Sequence, residues 1–101
     1  MRAAGATALL CPSDEDAVGL LQHGLPVRLG VPGDLSVVAY DDELSALTRP
    51  PLTAVSPPKE AVGGLAARTL LEMVDRPSTP VRHIDVEPRL LIRESTRQVA
   101  C

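Results

Sequence analysis

The chain has 101 residues, of which 45% are apolar, and this is enough for one small packed domain or for part of a larger one. Phe and Trp are absent and Tyr occurs once, which argues against an aromatic platform for single-stranded nucleic acid and against an aromatic cage for cations. Ten basic and 13 acidic residues give a net charge of −3, so the chain carries no basic footprint for DNA or RNA.

The first half of the chain predicts a strand, a helix and a second strand. Residues 7–11 form a short apolar run, which is typical of a strand covered on both faces. Ser13 is a good helix N-cap, and the three acidic residues after it favour the start of a helix that we expect to reach residue 25. A loop with Gly and Pro over residues 28–34 leads into an apolar run at residues 35–40, which predicts a second buried strand.

The second half predicts one long helix between less regular segments. Two proline pairs predict an irregular stretch over residues 44–58, apart from one helical turn at residues 44–47. Apolar residues recur at helical spacing over residues 59–75, which is the longest helical pattern in the chain. Alternating apolar residues at 84–86 and an apolar run at 90–92 predict a final strand, which a proline interrupts.

The predicted order implies an α/β fold with a mainly parallel sheet flanked by helices. Two strands that are joined by a helix and lie in one sheet run parallel, so their carboxyl ends meet at one edge of the sheet. Ser13 and Asp14 follow the first strand, and Asp41 and Asp42 follow the second. Open α/β sheets bind ligands at this edge. These four residues are therefore the candidate functional cluster.

Two chemical functions of this cluster find little support in the sequence. Catalysis by paired carboxylates needs a nucleophile, a metal or a raised pKa beside them, and His23 and His83 have no ligand or triad spacing. A phosphoacceptor site similar to that of response-regulator receiver domains needs the acidic pair after the first strand, whereas here a strand and a helix precede it. We therefore predict no enzyme activity, no metal and no cofactor.

A third function is recognition of a neutral, hydroxyl-rich small molecule. Ionised carboxylates accept strong hydrogen bonds from hydroxyl groups, and several acids at one site disfavour an anionic ligand. A structural alternative stays open for each residue. In that alternative Ser13 and Asp14 only cap the helix, while Asp41 and Asp42 end the strand and bind loop amides.

Five segments of the chain form a recognisable series. They are PSDEDAVG at 12–19, VPGDLSVVAYDD at 31–42, PPLTAV at 50–55, the apolar helix at 60–71 and LLIREST at 90–96. In order and spacing, this series resembles the motifs of the lactose-repressor/galactose-repressor family of bacterial transcription regulators. The resemblance extends over almost the whole chain.

The resemblance implies a fold and a role. Family members have an N-terminal helix-turn-helix, a hinge and a two-lobed effector core similar to periplasmic sugar-binding proteins. Residues 1–101 are expected to form a partial effector-binding and dimerisation lobe, without the DNA-binding domain or the N-terminal lobe. By position, Ser13 corresponds to an effector-contacting Asn, Asp14 to the acid beside it, and Asp41 to an acid that binds sugar hydroxyls. Pro57 replaces a Gln that often contacts the effector.

The resemblance also implies partners. The expected effector is a sugar or a nucleoside-like molecule held between two lobes, so we expect one lobe alone to bind it weakly or not at all. A homodimer is expected, with DNA contacted only through the missing domain. The candidate interface residues, which as an alternative are ordinary core positions, are Val18, Leu21, Leu44 and Leu47.

The apolar runs and the cysteine spacing of the chain bear on cellular location. No apolar run is long enough to span a bilayer, and Cys11 and Cys101 have neither disulfide nor zinc spacing. This pattern is typical of a cytoplasmic protein without a membrane partner.

The second interpretation of the chain's function is a fragment of a sugar-binding solute-binding protein with the same fold.

Overall fold

A four-stranded sheet organises the residues that the computed structural model describes, which are 5–24 and 29–99. Its strands lie side by side in chain order, and they are β1 (Ala8–Cys11), β2 (Ser36–Tyr40), β3 (Thr53–Ser56) and β4 (Arg89–Leu91). Both β1 and β3 pair with β2 in the parallel sense. The predicted α/β fold with a mainly parallel sheet is therefore confirmed.

The first helix begins where the sequence predicts. α1 (Asp14–Gly19) is capped by Ser13, whose Oγ accepts the backbone N–H of Asp16 at 3.1 Å. A π-helical turn (Leu20–Gly24) continues it, and the expected end at residue 25 lies outside the described residues. The helix thus carries the chain from the end of β1 back toward the start of β2, as a parallel connection requires.

The second helix, α2 (Lys59–Asp75), has the predicted bounds. None of its residues is buried, and Leu70, Leu71, Met73 and Val74 are all exposed. Within the part of the chain that the structure describes, no helix combines the length and the apolar character needed to cross a membrane.

Two predictions for the second half of the chain are wrong. β3 lies inside the segment that was predicted to be irregular, and residues 84–86 belong to a stretch without regular structure rather than to a strand. β3 has only four residues between two proline pairs, and its pairing with β2 comes from distant residues. Residues 84–86 pair with no strand of the sheet, so their alternation of apolar and polar residues does not make them a strand. The predicted helical turn is confirmed as the 3₁₀ turn Ser45–Leu47.

The core is small and aliphatic, as the composition requires. Its buried apolar residues are Cys11, Ala17, Leu29, Leu35, Val37, Ala39, Leu52 and Ala54. Cys11 is a free thiol, and burial together with the negative charge of Asp16 raises its pKa above the ordinary value of 9.0. The thiol therefore stays protonated at neutral pH and behaves as a small apolar side chain.

The chain divides into two compact units. The first comprises the described residues up to Ser56 and from Leu90 onward, and the second comprises Pro57–Arg89. All the buried apolar residues belong to the first unit. Residues 1–101 were expected to form a single partial lobe, whereas the structure has two units, and assignment of the chain to one lobe stays a prediction.

The segment after β4 holds the first unit together through buried polar bonds. Ser95 is fully buried, and its Oγ donates to the carbonyl of Val37 at 2.5 Å while accepting the N–H of Thr53 at 2.8 Å. The carbonyl of Ser95 also accepts the N–H of Val37 at 2.9 Å. One serine therefore joins β2 to the start of β3, in line with its place in a recognisable motif.

Candidate functional site

The carboxyl ends of β1 and β2 lie at the same edge of the sheet, as the sequence predicts. The two strands pair in parallel over four residues each, so the chain leaves both of them in the same direction. We call the residues that follow these ends the carboxylate rim, defined as Ser13, Asp14, Asp41 and Asp42. Hydrogen bonds between Asp14 and the residues just after Asp42 show that the two halves of the rim meet.

Asp14 is the buried member of the rim, with 4% of its surface exposed. Its Oδ2 accepts the backbone N–H of Glu43 at 2.7 Å and that of Leu44 at 2.5 Å. A hydrogen bond to a charged acceptor contributes about 1.5–3 kcal/mol, because the ion stays well solvated by fixed donors. Asp14 thus joins the first turn of α1 to the segment after β2. Its contact with a ligand stays a prediction.

Asp41 turns the chain sharply at the rim. Its φ is +74°, in the left-handed region that Asp tolerates better than most residues. Its N–H donates to the carbonyl of Val55 at 2.9 Å, so the bonding between β2 and β3 extends one residue beyond β2. Backbone conformations of this kind persist where the surrounding bonds hold them, and they are frequent at binding sites.

Ser13 and the rim carboxylates offer hydrogen-bond donors and acceptors. The Ser13 hydroxyl accepts one bond from the helix backbone and keeps a proton to donate and a further lone pair. Among residues 5–24 and 29–99, no three His, Cys, Asp or Glu side chains lie close enough together to hold a metal ion. The arrangement suits a ligand that both donates and accepts hydrogen bonds, as a polyol does.

Asp42 has a structural partner that the sequence analysis missed. Arg93 binds both of its carboxylate oxygens, with N–O distances of 2.8 and 3.0 Å, and also donates to the carbonyl of Leu52 at 2.7 Å. The two side chains are only 20% and 17% exposed. Arg93 therefore fixes the position of the rim against the start of β3. Its place in the closing LLIREST motif was the available signal.

A surface groove collects all four predicted interface residues. The groove has a volume of about 400 Å³, and we call it the Leu47 groove. Its lining residues are Val18, Leu21, Gln22, Leu44, Leu47, Thr48 and Arg49. In this chain Leu47 is 77% exposed and Leu44 is 37% exposed. The dimer contact itself stays a prediction.

Comparisons with known proteins agree with this geometry. A model described as a periplasmic binding protein-like domain matches residues 1–96. The ribose operon repressor of Haemophilus influenzae is 41% identical over 90 residues, covering 88% of this chain and 27% of the repressor. The HTH-type transcriptional regulator MalR of Streptomyces coelicolor is 43% identical over 91 residues, covering 89% of this chain and 26% of MalR.

A solved structure shows the same likeness in three dimensions. The transcriptional regulator CelR, in a complex with cellobiose, matches with a TM-score of 0.83 and 32% sequence identity. The match covers 93% of this chain and 29% of CelR. The present chain thus spans about a quarter of the length of the curated relatives it matches.

Replacing Arg93 by Lys is expected to lower the free energy of unfolding by about 1–3 kcal/mol, because Lys lacks the planar fork that binds both oxygens of Asp42. Urea denaturation followed by circular dichroism measures the change. R82K is the matched control. Arg82 binds Glu72 at 2.9 Å, but these side chains are 49% and 52% exposed, so a change within about 0.5 kcal/mol is expected. Equal losses in the two variants would contradict the role given to Arg93.

Proposed function

Because the chain belongs to the periplasmic binding protein-like family, and within it to the lactose-repressor/galactose-repressor regulators, we propose that it forms the C-terminal effector-sensing and dimerisation part of a bacterial transcriptional regulator. The observation that carries this proposal is the parallel pairing of β1 and β2, which brings the two halves of the carboxylate rim together. The names of the matched relatives, a repressor and two transcriptional regulators, favour a regulator over a solute-binding protein.

The proposed effector is a neutral, hydroxyl-rich molecule such as a sugar. CelR is described as a complex with cellobiose, and its matched region resembles this chain closely in backbone. In this chain the Ser13 hydroxyl and the Asp41 carboxylate are the proposed ligand contacts, with Asp14 beside them. Carboxylate acceptors and a hydroxyl donor at one edge complement the hydroxyl groups of such a ligand.

The proposed partner at the Leu47 groove is a second copy of the chain. The groove combines the exposed Leu47 and Leu44 with Val18 and Leu21 from the first helical stretch. Apolar side chains that remain in contact with water favour burial against another apolar surface. A twofold dimer would place the same groove on both copies, which is the usual symmetry of homodimers.

The proposed role assigns neither catalysis nor DNA contact to this chain. A sensing part acts by binding the effector differently in two states, and this requires no covalent step, so no enzyme activity is assigned. DNA contact is assigned to other parts of the parent regulator, in keeping with the net charge of −3. The proposed location is the cytoplasm, where such a regulator meets DNA.

Titration of the chain with ribose, cellobiose and sucrose tests the effector site. We expect at most weak binding, with dissociation constants in roughly the millimolar range, because one wall supplies only part of the contacts. Amide chemical shifts in ¹⁵N-labelled protein should move at Ser13 and from Asp41 to Leu44. D41N should abolish the changes while keeping the turn, since Asn also tolerates a positive φ.

The control is D85N, which removes a carboxylate from the irregular stretch outside the rim, and it should leave the titration unchanged. Micromolar binding by the chain alone would contradict the view that it carries one wall of a cleft. Shift changes that a sugar causes elsewhere, but not at Asp41, would contradict the proposed contact.

Sedimentation velocity over a concentration series tests the dimer. The unmodified chain should show a monomer–dimer equilibrium, and L47E should weaken it by about tenfold or more, because a charge cannot be buried at the centre of an apolar contact. L71E is the matched control, since Leu71 is 64% exposed on α2, outside the groove. A monomer at all concentrations, or a loss of dimer in L71E alone, would contradict the groove as the interface.

A further inference from the structure

We infer that Asp14 is a positioning residue that couples the carboxylate rim to the Leu47 groove, rather than a residue that contacts the effector. This inference deepens the proposed function and rests on it, because it takes the rim as the effector site and the groove as the contact between copies. It arises from hydrogen bonds and burial that join these two surfaces within the first unit.

The Asp14 carboxylate is buried and hydrogen-bonded within the protein. Asp14 is 4% exposed, so little of its side chain remains for a ligand to touch. One oxygen, Oδ2, accepts both N–H groups, from Glu43 and Leu44, and these residues lie 29 and 30 positions away along the chain. Two backbone hydrogen bonds fix the position of a buried carboxylate, and the carboxylate in turn fixes the positions of the two backbone N–H groups.

Residues 41–48 are joined by hydrogen bonds, and the Ser45 hydroxyl donates to the carbonyl of Asp41 at 3.5 Å. The N–H of Leu47 donates to the carbonyl of Leu44 at 2.9 Å, and the Thr48 hydroxyl donates to the carbonyl of Ser45 at 3.0 Å. Ser45 is fully buried, and its carbonyl also accepts the N–H of Leu52 at 2.8 Å. The leucines of the groove therefore belong to the same bonded segment as Asp41.

Val18 of α1 lines the Leu47 groove opposite the segment after β2. Val18 lies four residues after Asp14, so the two occupy the same face of α1. Leu44, whose N–H binds Asp14, lines the groove together with Val18. The Asp14 bonds thus set the distance between the two sides of the groove.

Asp14→Ala in the full chain tests this coupling with two measurements. Amide hydrogen exchange at Glu43 and Leu44 should become at least about tenfold faster, since both N–H groups lose their acceptor. The dimer dissociation constant from sedimentation should rise by about tenfold, because a loss of about 1.4 kcal/mol in alignment corresponds to that factor. The matched control is E15A, which removes an exposed carboxylate from the same first turn, and it should change neither measurement.

D14N retains an oxygen acceptor without the charge, so both measurements should fall between those of the unmodified chain and D14A. If D14A fails to fold, D14N alone tests the coupling. A dimer that forms equally well in D14A overturns the coupling while the proposed dimer stands. An unmodified chain that stays monomeric contradicts the proposed dimer and overturns the coupling with it. Unchanged amide exchange in D14A overturns the positioning role directly.

Discussion

The hydrogen bonds from two backbone N–H groups to the buried carboxylate of Asp14 connect the start of α1 with the segment after β2. They are possible only because β1 and β2 run parallel, so that the chain leaves both strands at the same edge of the sheet. This contact joins the rim to the groove, because Leu44 both donates to Asp14 and lines the groove beside α1. The turn at Asp41 and the 3₁₀ turn after it have further anchors, since the N–H of Asp41 donates to the carbonyl of Val55 and the carbonyl of Ser45 accepts the N–H of Leu52.

Buried polar bonds supply much of the order that a larger core would otherwise provide. The chain has no Phe or Trp, and the largest fully buried apolar side chains are those of Leu35, Leu52 and Val37. Ser95 joins β2 to the start of β3, and Arg93 holds Asp42 against Leu52. Such bonds are directional, so they fix the positions of loops that apolar contacts alone would leave less defined.

Local sequence patterns predicted the elements whose cause is local. Both strands of the first half appear where apolar runs predict them, and α2 follows the helical spacing over residues 59–75. The prediction that β1 is covered on both faces is wrong, because only Cys11 of its four residues is buried and Leu10 is 69% exposed. β3 could not be predicted in this way, because four residues between proline pairs become a strand only through pairing with β2. Residues 84–86 show the converse, since alternation without a neighbouring strand does not make one. A local sequence pattern indicates the propensity of a segment to form a strand, but the segment becomes a strand only when it pairs with a neighbouring strand.

The same limit applies to the candidate site. The rule that strands joined by a helix run parallel, applied to the predicted strand ends, predicted that Asp14 and Asp41 lie at one edge of the sheet. The pairing of β1 with β2 confirms the shared edge. The partners of Asp14 could not be predicted, because they are backbone N–H groups about 30 residues away and carry no side-chain signature. The role of Arg93 depends likewise on a contact 51 residues distant, although its motif indicated that the segment matters.

Hydrogen-bond scalar couplings test the central contact most directly. In a chain labelled with ¹³C and ¹⁵N, nuclear magnetic resonance detects coupling between an amide nitrogen and the carbon of the carboxylate that accepts its proton. Couplings are expected from the amides of both Glu43 and Leu44 to the side-chain carboxylate carbon of Asp14. Couplings to a different acceptor, or an Asp14 carboxylate with no coupled amide at either residue, would contradict it.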